Sequence, residues 1–247
     1  MWNPDQYERF RHERHQPFHD LVGLIEPRDR MHVLDLGCGT GELTRQLHEQ
    51  LHAEETLGID NSETMLLKSS AFGGKMLHFE RGNIEALVTD RPYDLVFSNA
   101  ALQWVGNHTS LFSRLASFLA SHGQLAIQMP SNDDHPSHMV AAEVATQFGI
   151  EARPVNVLPV DRYAQLLHTL GFQRQHVRME VYGHLLHSSR DVVEWVKGTL
   201  LTDYERRLPP DEYARFLADY ATHLLAVIGD VHPYFYTYKR ILIWGSF

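Results

Sequence analysis

The sequence predicts an α/β fold, a mostly parallel sheet with helices on both faces. From His32 to Pro130, short apolar runs alternate with amphipathic stretches, which is the pattern of parallel strands joined by crossover helices. A glycine-rich turn, Gly37 to Gly41, follows the first of those runs and leads into the first helical stretch. Near the end, YFYTYKRILIWG is rich in aromatic and β-branched residues and reads as a closing strand.

The strands fall at HVLDLG (32–37), TLGID (56–60), LHFERG (77–82), YDLVFSN (93–99) and GQLAIQMP (123–130), with helices starting near Gly41, Ser62, Ile84 and His108. Gly123, after FLASH, is expected to stop the last of these helices, because glycine takes positive φ without a Cβ penalty. Beyond Pro130 a polar loop, SNDDHPSH, leads into a helix to about Phe148, and another helix runs from about Asp161 to Leu170. FQRQHVRMEVY is a further strand, followed by two helical stretches, SRDVVEWVKGTLL and PDEYARFLADYATHLLAVI. These two are too long for a hairpin connection and form the candidate cap.

With 247 residues, 43% of them hydrophobic, the chain is long enough for one sizeable domain with an embedded cap. A net charge of -9, from 22 basic and 31 acidic residues, argues against a sequence-independent nucleic-acid binder. The single cysteine, Cys38, excludes an internal disulfide framework and reads as a small buried spacer in a reducing compartment. The charged start lacks a signal-peptide apolar segment, and no long uncharged apolar run suggests a membrane span. The expectation is a cytoplasmic protein, monomer or homodimer, with neither a membrane nor a nucleic acid as partner. Among the 17 histidines, His48 and His52 share a helical face, as do His12, His15 and His19, but no HExxH pattern or cysteine set accompanies them. Solvated helix faces are expected, and no metal.

The dinucleotide fingerprint G-x-G-x-x-G does not fit the glycine turn. Counted from Gly37 its third position falls on Glu42, and counted from Gly39 on Thr44. The sequence instead offers D-x-G-x-G-x-G from Asp35 to Gly41. A carboxylate there would repel a pyrophosphate but suits a cofactor whose nearest group is an ammonium. Asp60, about 20 residues past the glycines, can accept hydrogen bonds from both hydroxyls of a ribose. In GNIEAL, the Asn83 amide can pair with an adenine edge and Ile84 can cover its face.

VLDLGCGTG, LGID, GNIEAL and YDLVFSNAALQW, in this order and spacing, resemble the successive motifs of the class I S-adenosylmethionine-dependent methyltransferases. W-N-P-x-x-Y-x-x-F-x-x-E-R-x-x-P (Trp2 to Pro17), NAALQW, QMPSN and EWV are similar to the trans-aconitate 2-methyltransferase family, so the resemblance covers nearly the whole chain. It implies a Rossmann-like, seven-stranded, mostly parallel sheet with an antiparallel last strand and a helical cap. It also implies one domain, with an N-terminal lid segment (1–30), a cofactor-binding core (31–130), an acceptor-side and cap region (131–231) and a closing strand (232–247). S-adenosyl-L-methionine is the implied cofactor. Asp35, Gly37, Gly39 and Gly41 would surround its methionine part, Asp60 would hold the ribose, Asn61 and Met65 would lie near the adenosine, and Asn83 and Ile84 would contact adenine. Many methyltransferases have aspartate at the position of Asn83, whose carbonyl can still accept.

The implied partner is a small carboxylic acid, trans-aconitate in the family, methylated on a carboxylate oxygen. A carboxylate is ionised at neutral pH and needs no general base, so none is assigned. Arginine suits a bidentate carboxylate contact. The N-terminal segment carries Arg9, Arg11 and Arg14 beside Tyr7 and Phe10. Were it to close over the cofactor, Tyr7 and Arg14 would lead the candidates for meeting the methionine carboxylate or the acceptor. Asn99 ends the fourth strand on the side of the sulfonium, Gln103 can orient an acceptor oxygen and Trp104 can wall off water, with Gln128 and Met129 as a floor. Trp195 and Val196 are expected to pack the cap, and Tyr234, Tyr236 and Tyr238 to face the sheet. The competing readings are methylation of a carrier-bound malonyl group, a fatty acid or a secondary metabolite, a non-catalytic S-adenosylmethionine sensor, and a nicotinamide dehydrogenase, which Glu42 and Thr44 disfavour.

Overall fold

A computed structural model describes residues 11–247, with side chains from His15 onward. Seven strands, β1 (His32–Leu36), β2 (Glu55–Asp60), β3 (Leu77–Arg81), β4 (Tyr93–Asn99), β5 (Leu119–Pro130), β6 (Arg174–Leu186) and β7 (Tyr234–Ser246), form one sheet in the order β3-β2-β1-β4-β5-β7-β6. Strands β1 to β5 pair in parallel, and β7 runs antiparallel to β5. Chain order reverses between β1 and β4, so the crevice at the carboxyl ends of those two strands is the topological switch point.

The chain divides into two compact units. One takes in the described residues as far as Pro130, with Asn156–Glu180 and Arg240–Phe247. Its helices are α1 (Arg11–Val22), α2 (Glu42–Gln50), α3 (Glu63–Ser69), α4 (His108–Ser117) and, from the second segment, α6 (Val160–Thr169). Strand alternation fills both faces of its sheet. Leu34, Leu36, Val96, Leu125, Ile127, Ile241 and Ile243 point to one face, where Phe112 of α4 and Tyr163 of α6 complete the core. Val33, Leu95, Phe97, Ala126, Leu242 and Trp244 point to the other, against Phe18 and Leu21 of α1 and Leu47 of α2. Each such fully buried aliphatic or aromatic side chain contributes about 1.5–3 kcal/mol.

The second unit takes in Ser131–Val155 and Val181–Lys239 and carries α5 (Pro136–Gln147), α7 (Asp191–Lys197), α8 (Leu201–Arg207) and α9 (Pro210–Ile228). Phe216, Tyr220 and Leu224 recur every four residues and make the fully buried face of α9. The Tyr220 hydroxyl donates to the Ser137 carbonyl of α5 at 3.0 Å. Trp195 is buried and stacks on His184 at 4.6 Å between ring centroids.

Three local expectations are corrected. No helix forms at Ile84. Asn83 Oδ1 accepts the Glu85 N–H at 2.9 Å and closes a single turn instead, since a short polar side chain competes with a helical backbone for its donors. Gly123 is not a helix stop: α4 ends at Ser117 with Phe118 as a right-handed C-cap, and Gly123 lies inside β5. There the pairing with β4 jumps from Tyr93↔Leu119 to Leu95↔Gln124, a bulge. A Cβ at Gly123 would sit 2.8 Å from that of Leu119. SRDVVEWVKGTLL is broken at Gly198, the C-cap of α7, rather than continuous.

Among the described residues no helix is long and apolar enough to cross a membrane.

Candidate functional site

The turn after β1 is built by backbone hydrogen bonds to the end of β2. Gly37 and Cys38 both donate their N–H to the Ile59 carbonyl, at 2.7 and 3.1 Å, and Gly39 donates to Asp60 Oδ2 at 2.9 Å. Gly37, Gly39 and Gly41 have φ of 80°, 56° and 79°, the left-handed region that costs other L-residues roughly 1–2 kcal/mol. Their surroundings differ. A Cβ on Gly37 would lie 2.1 Å from the Ala101 Cβ, so this glycine lets the loop after β4 close on the turn. A Cβ on Gly39 would meet nothing within 4 Å among the described residues. Open space lies over Gly39, where a ligand can approach the backbone.

Asp35 is buried and accepts the Thr44 hydroxyl at 2.6 Å. Burial pushes its carboxyl up to about 7, opposed by that hydrogen bond and assisted by the charge of Asp60. Burial also holds the Cys38 thiol far above the ordinary range, which leaves it a poor nucleophile. The second oxygen of Asp60 accepts the Ser62 N–H at 2.8 Å. Ser62, not Asp60, is the N-cap of α3, accepting from Met65 N. Asn61 and Met65 are exposed beside it. After β3, the carbonyls of Ile84 and Glu85 accept from the guanidinium of Arg114 on α4. The Asn83 turn is thus fixed from two sides.

β4 ends at Asn99, and the loop after it begins with Ala100, whose φ is 56°. Gln103 Nε2 donates to the Ala100 carbonyl at 2.7 Å, the Gln103 backbone carbonyl accepts from Asn156 Nδ2 at 3.1 Å, and Gln103 Oε1 is buried with no partner among the described residues. Trp104 is 49% exposed, which removes it from the hydrophobic core. Under this turn His108 is buried, with Nε2 3.0 and 3.1 Å from the Leu102 and Val105 carbonyls and Nδ1 2.5 Å from the Tyr163 hydroxyl. Burial lowers its pKa below 6.5, so it stands neutral, donating through Nε2 and accepting at Nδ1.

The structure therefore brings Asp35, Gly37, Gly39, Gly41 and Asp60 into one hydrogen-bonded turn, with Asn99 and Ala101 at the adjoining strand end. Tyr7 and the side chain of Arg14 lie outside the described residues. Sequence reasoning missed His108, Arg114 and Asn156. Nothing in the local pattern marks these residues, because each acts through a partner about 30 or more residues away or through a backbone carbonyl. His48 hydrogen-bonds Thr56 across 2.9 Å.

A methyltransferase domain model matches residues 27–169. The chain is 39% identical to the trans-aconitate 2-methyltransferase of Deinococcus radiodurans, over 98% of this chain and 96% of that protein. It is 36% identical to the trans-aconitate 2-methyltransferase of Variovorax paradoxus, over 98% and 94%. The chain belongs to the trans-aconitate 2-methyltransferase family. As a member it is an S-adenosylmethionine-dependent methyltransferase. The fold of this family member is shared by an S-adenosylmethionine-dependent methyltransferase of Mesorhizobium loti, with a TM-score of 0.54 at 19% identity over 93% of this chain and 97% of that one. It is shared too by phosphoethanolamine N-methyltransferase 2 of Haemonchus contortus in complex with S-adenosyl-L-methionine, at 0.57 and 16% identity over 94% and 52%.

Proposed function

We propose that the protein transfers a methyl group from S-adenosylmethionine to a carboxylate oxygen of a small carboxylic acid, with trans-aconitate as the acceptor. The names of relatives 36–39% identical over nearly the full chain support the acceptor. One structural observation supports its class. Three amides lie near the ends of β4 and β5, Asn99 and Gln128 within the strands and Gln103 in the turn after β4, and the nearby imidazole of His108 is engaged by Leu102, Val105 and Tyr163. A carboxylate nucleophile, already ionised, needs no base there.

The residues fit the cofactor. The open space over Gly39 admits a ligand against the backbone, and the Asp60 carboxylate keeps acceptor capacity beyond the two N–H groups it holds. In this assignment Asp60 takes the ribose hydroxyls, Asn61, Met65, Asn83 and Ile84 flank the adenosine, and Asp35 with the glycine turn faces the amino-acid end. A cationic ligand there draws Asp35 back to its ionised form. When bound, the sulfonium supplies an activated methyl group for in-line displacement. The chain's own contribution is alignment and exclusion of water, together worth up to roughly 7–11 kcal/mol. Gln103 orients the acceptor and Trp104 shields it.

The test is the pH dependence of turnover at saturating cofactor and trans-aconitate. A carboxylate acceptor gives a kcat that is flat from about pH 6 to 8. A steep rise with a histidine-like pKa, or tight cofactor binding with no transfer to any acid, amine or phenol, overturns the assignment.

A further inference from the structure

Three polar side chains line one edge of the sheet on the face of the Phe97, Ala126 and Leu242 rows: Asn99 of β4, Gln128 of β5 and Arg240 of β7. Asn99 and Gln128 are register partners, and Arg240 pairs with Pro130 two residues further along β5. Gln128 is fully buried. Its amide satisfies its neighbours in one orientation, with Oε1 accepting from Arg240 Nη1 at 3.0 Å and from Met129 N at 3.3 Å, and Nε2 donating to Asn99 Oδ1 at 2.8 Å.

Arg240 Nη1 reaches the amide oxygen in either orientation, at 3.3 or 3.0 Å, and Met129 N and Asn99 Oδ1 select the second. Two groups that can only donate, Arg240 Nη1 and Met129 N, then face the Gln128 carbonyl, and its NH2 faces Asn99. Asn99 must in turn give its carbonyl to Gln128. Its remaining polar group, Nδ2, is left as the donor end, and Asn99 is partly exposed. Without the arginine, a terminal asparagine could present either end. A chain of donors running one way from a cation also strengthens its last donor.

We infer that Arg240 and Gln128 are positioning residues that fix Asn99 as a hydrogen-bond donor to a ligand carboxylate at the switch point of the sheet. Two carboxylates have this chemistry, that of the cofactor's methionine part and that of the acceptor. The acceptor assignment rests on the function proposed above, whereas the donor polarity of Asn99 does not.

The experiment compares Gln128→Leu and Arg240→Met, which break the chain, with Arg240→Lys, which keeps a donor-only cation. Affinity for S-adenosylhomocysteine is measured by calorimetry, KM and kcat are measured with trans-aconitate, and the side-chain amide of Asn99 is followed by NMR in the unsubstituted protein. A rise of about tenfold in KM for the acid, with S-adenosylhomocysteine affinity unchanged and Arg240→Lys close to the parent, supports the inference with the acceptor as ligand. A tenfold loss of S-adenosylhomocysteine affinity supports it with the cofactor carboxylate as ligand. If neither changes, or if the Asn99 amide resonance is unmoved by both ligands, the inference is overturned. The NMR arm decides even where the variants fold poorly. An unsubstituted protein that methylates no acid but shows the Asn99 shift with S-adenosylhomocysteine refutes the proposed acceptor and leaves the relay standing.

Discussion

The Gly39 N–H donates to Asp60 Oδ2 across 2.9 Å, so the carboxylate at the end of β2 holds the glycine turn of β1 in shape. Its other oxygen holds Ser62 N at the start of α3. Asp60 is thus a brace as well as the proposed ribose acceptor. Asp60→Ala should weaken S-adenosylhomocysteine binding by at least about 2–3 kcal/mol, the loss of hydrogen bonds to a charged group. Asp60→Asn should not restore it, because the amide nitrogen would face a backbone donor. Calorimetry showing parental affinity in either variant would refute the role.

Two glycines of the turn should fail in different ways. In Gly37→Ala the new Cβ collides with Ala101 at 2.1 Å, so thermal unfolding should shift to clearly lower temperature. In Gly39→Ala the Cβ enters open space, and the protein bears only the left-handed strain of roughly 1–2 kcal/mol. That variant should stay folded and lose cofactor affinity. Equal destabilisation with intact binding in both would contradict the reading of the space over Gly39.

Asp35 titrates at about 7 because it is buried. A ligand ammonium would favour its ionised form, so cofactor affinity should hold above about pH 7 and fall as pH drops below it, while kcat at saturation stays flat. Asp35→Asn should bind more weakly and lose this pH dependence. A pH-independent affinity in the parent protein would remove Asp35 from the amino-acid end of the site.

His108 braces the turn that carries Gln103 and Trp104. Its folded pKa lies below 6.5, so the unfolded chain binds more protons in the window beneath that value. The stability due to neutral His108 is therefore complete above about pH 6.5 and declines as pH falls toward the folded pKa. Melting curves between about pH 5 and 7.5 should show a smaller acid loss in His108→Gln than in the parent protein. An identical slope in the two would show that the ring is not held neutral.

Much of this was legible in the residues. The central strand runs, in β1, β4 and β5, are largely buried on both faces, so their alternation with helical stretches marked a parallel sheet. Asp35, the glycines and Asp60 stood out because positive φ and a strand-end carboxylate demand particular residue types. The turn at Ile84 was not legible as a turn, since its cause is the Asn83 side chain capping its own backbone. Nor was the bulge at Gly123, which depends on pairing with β4. His108, Arg114 and Arg240 act on partners distant in sequence, Tyr163, Ile84 and Gln128. Only the folded chain brings these pairs together.

The most direct measurement is product analysis after incubation of the full chain with methyl-labelled S-adenosylmethionine and trans-aconitate. Label recovered as an alkali-labile methyl ester of the acid is the predicted result. Label found instead in an alkali-stable product, on an amine or a phenol offered alongside the acid, would contradict carboxylate methylation.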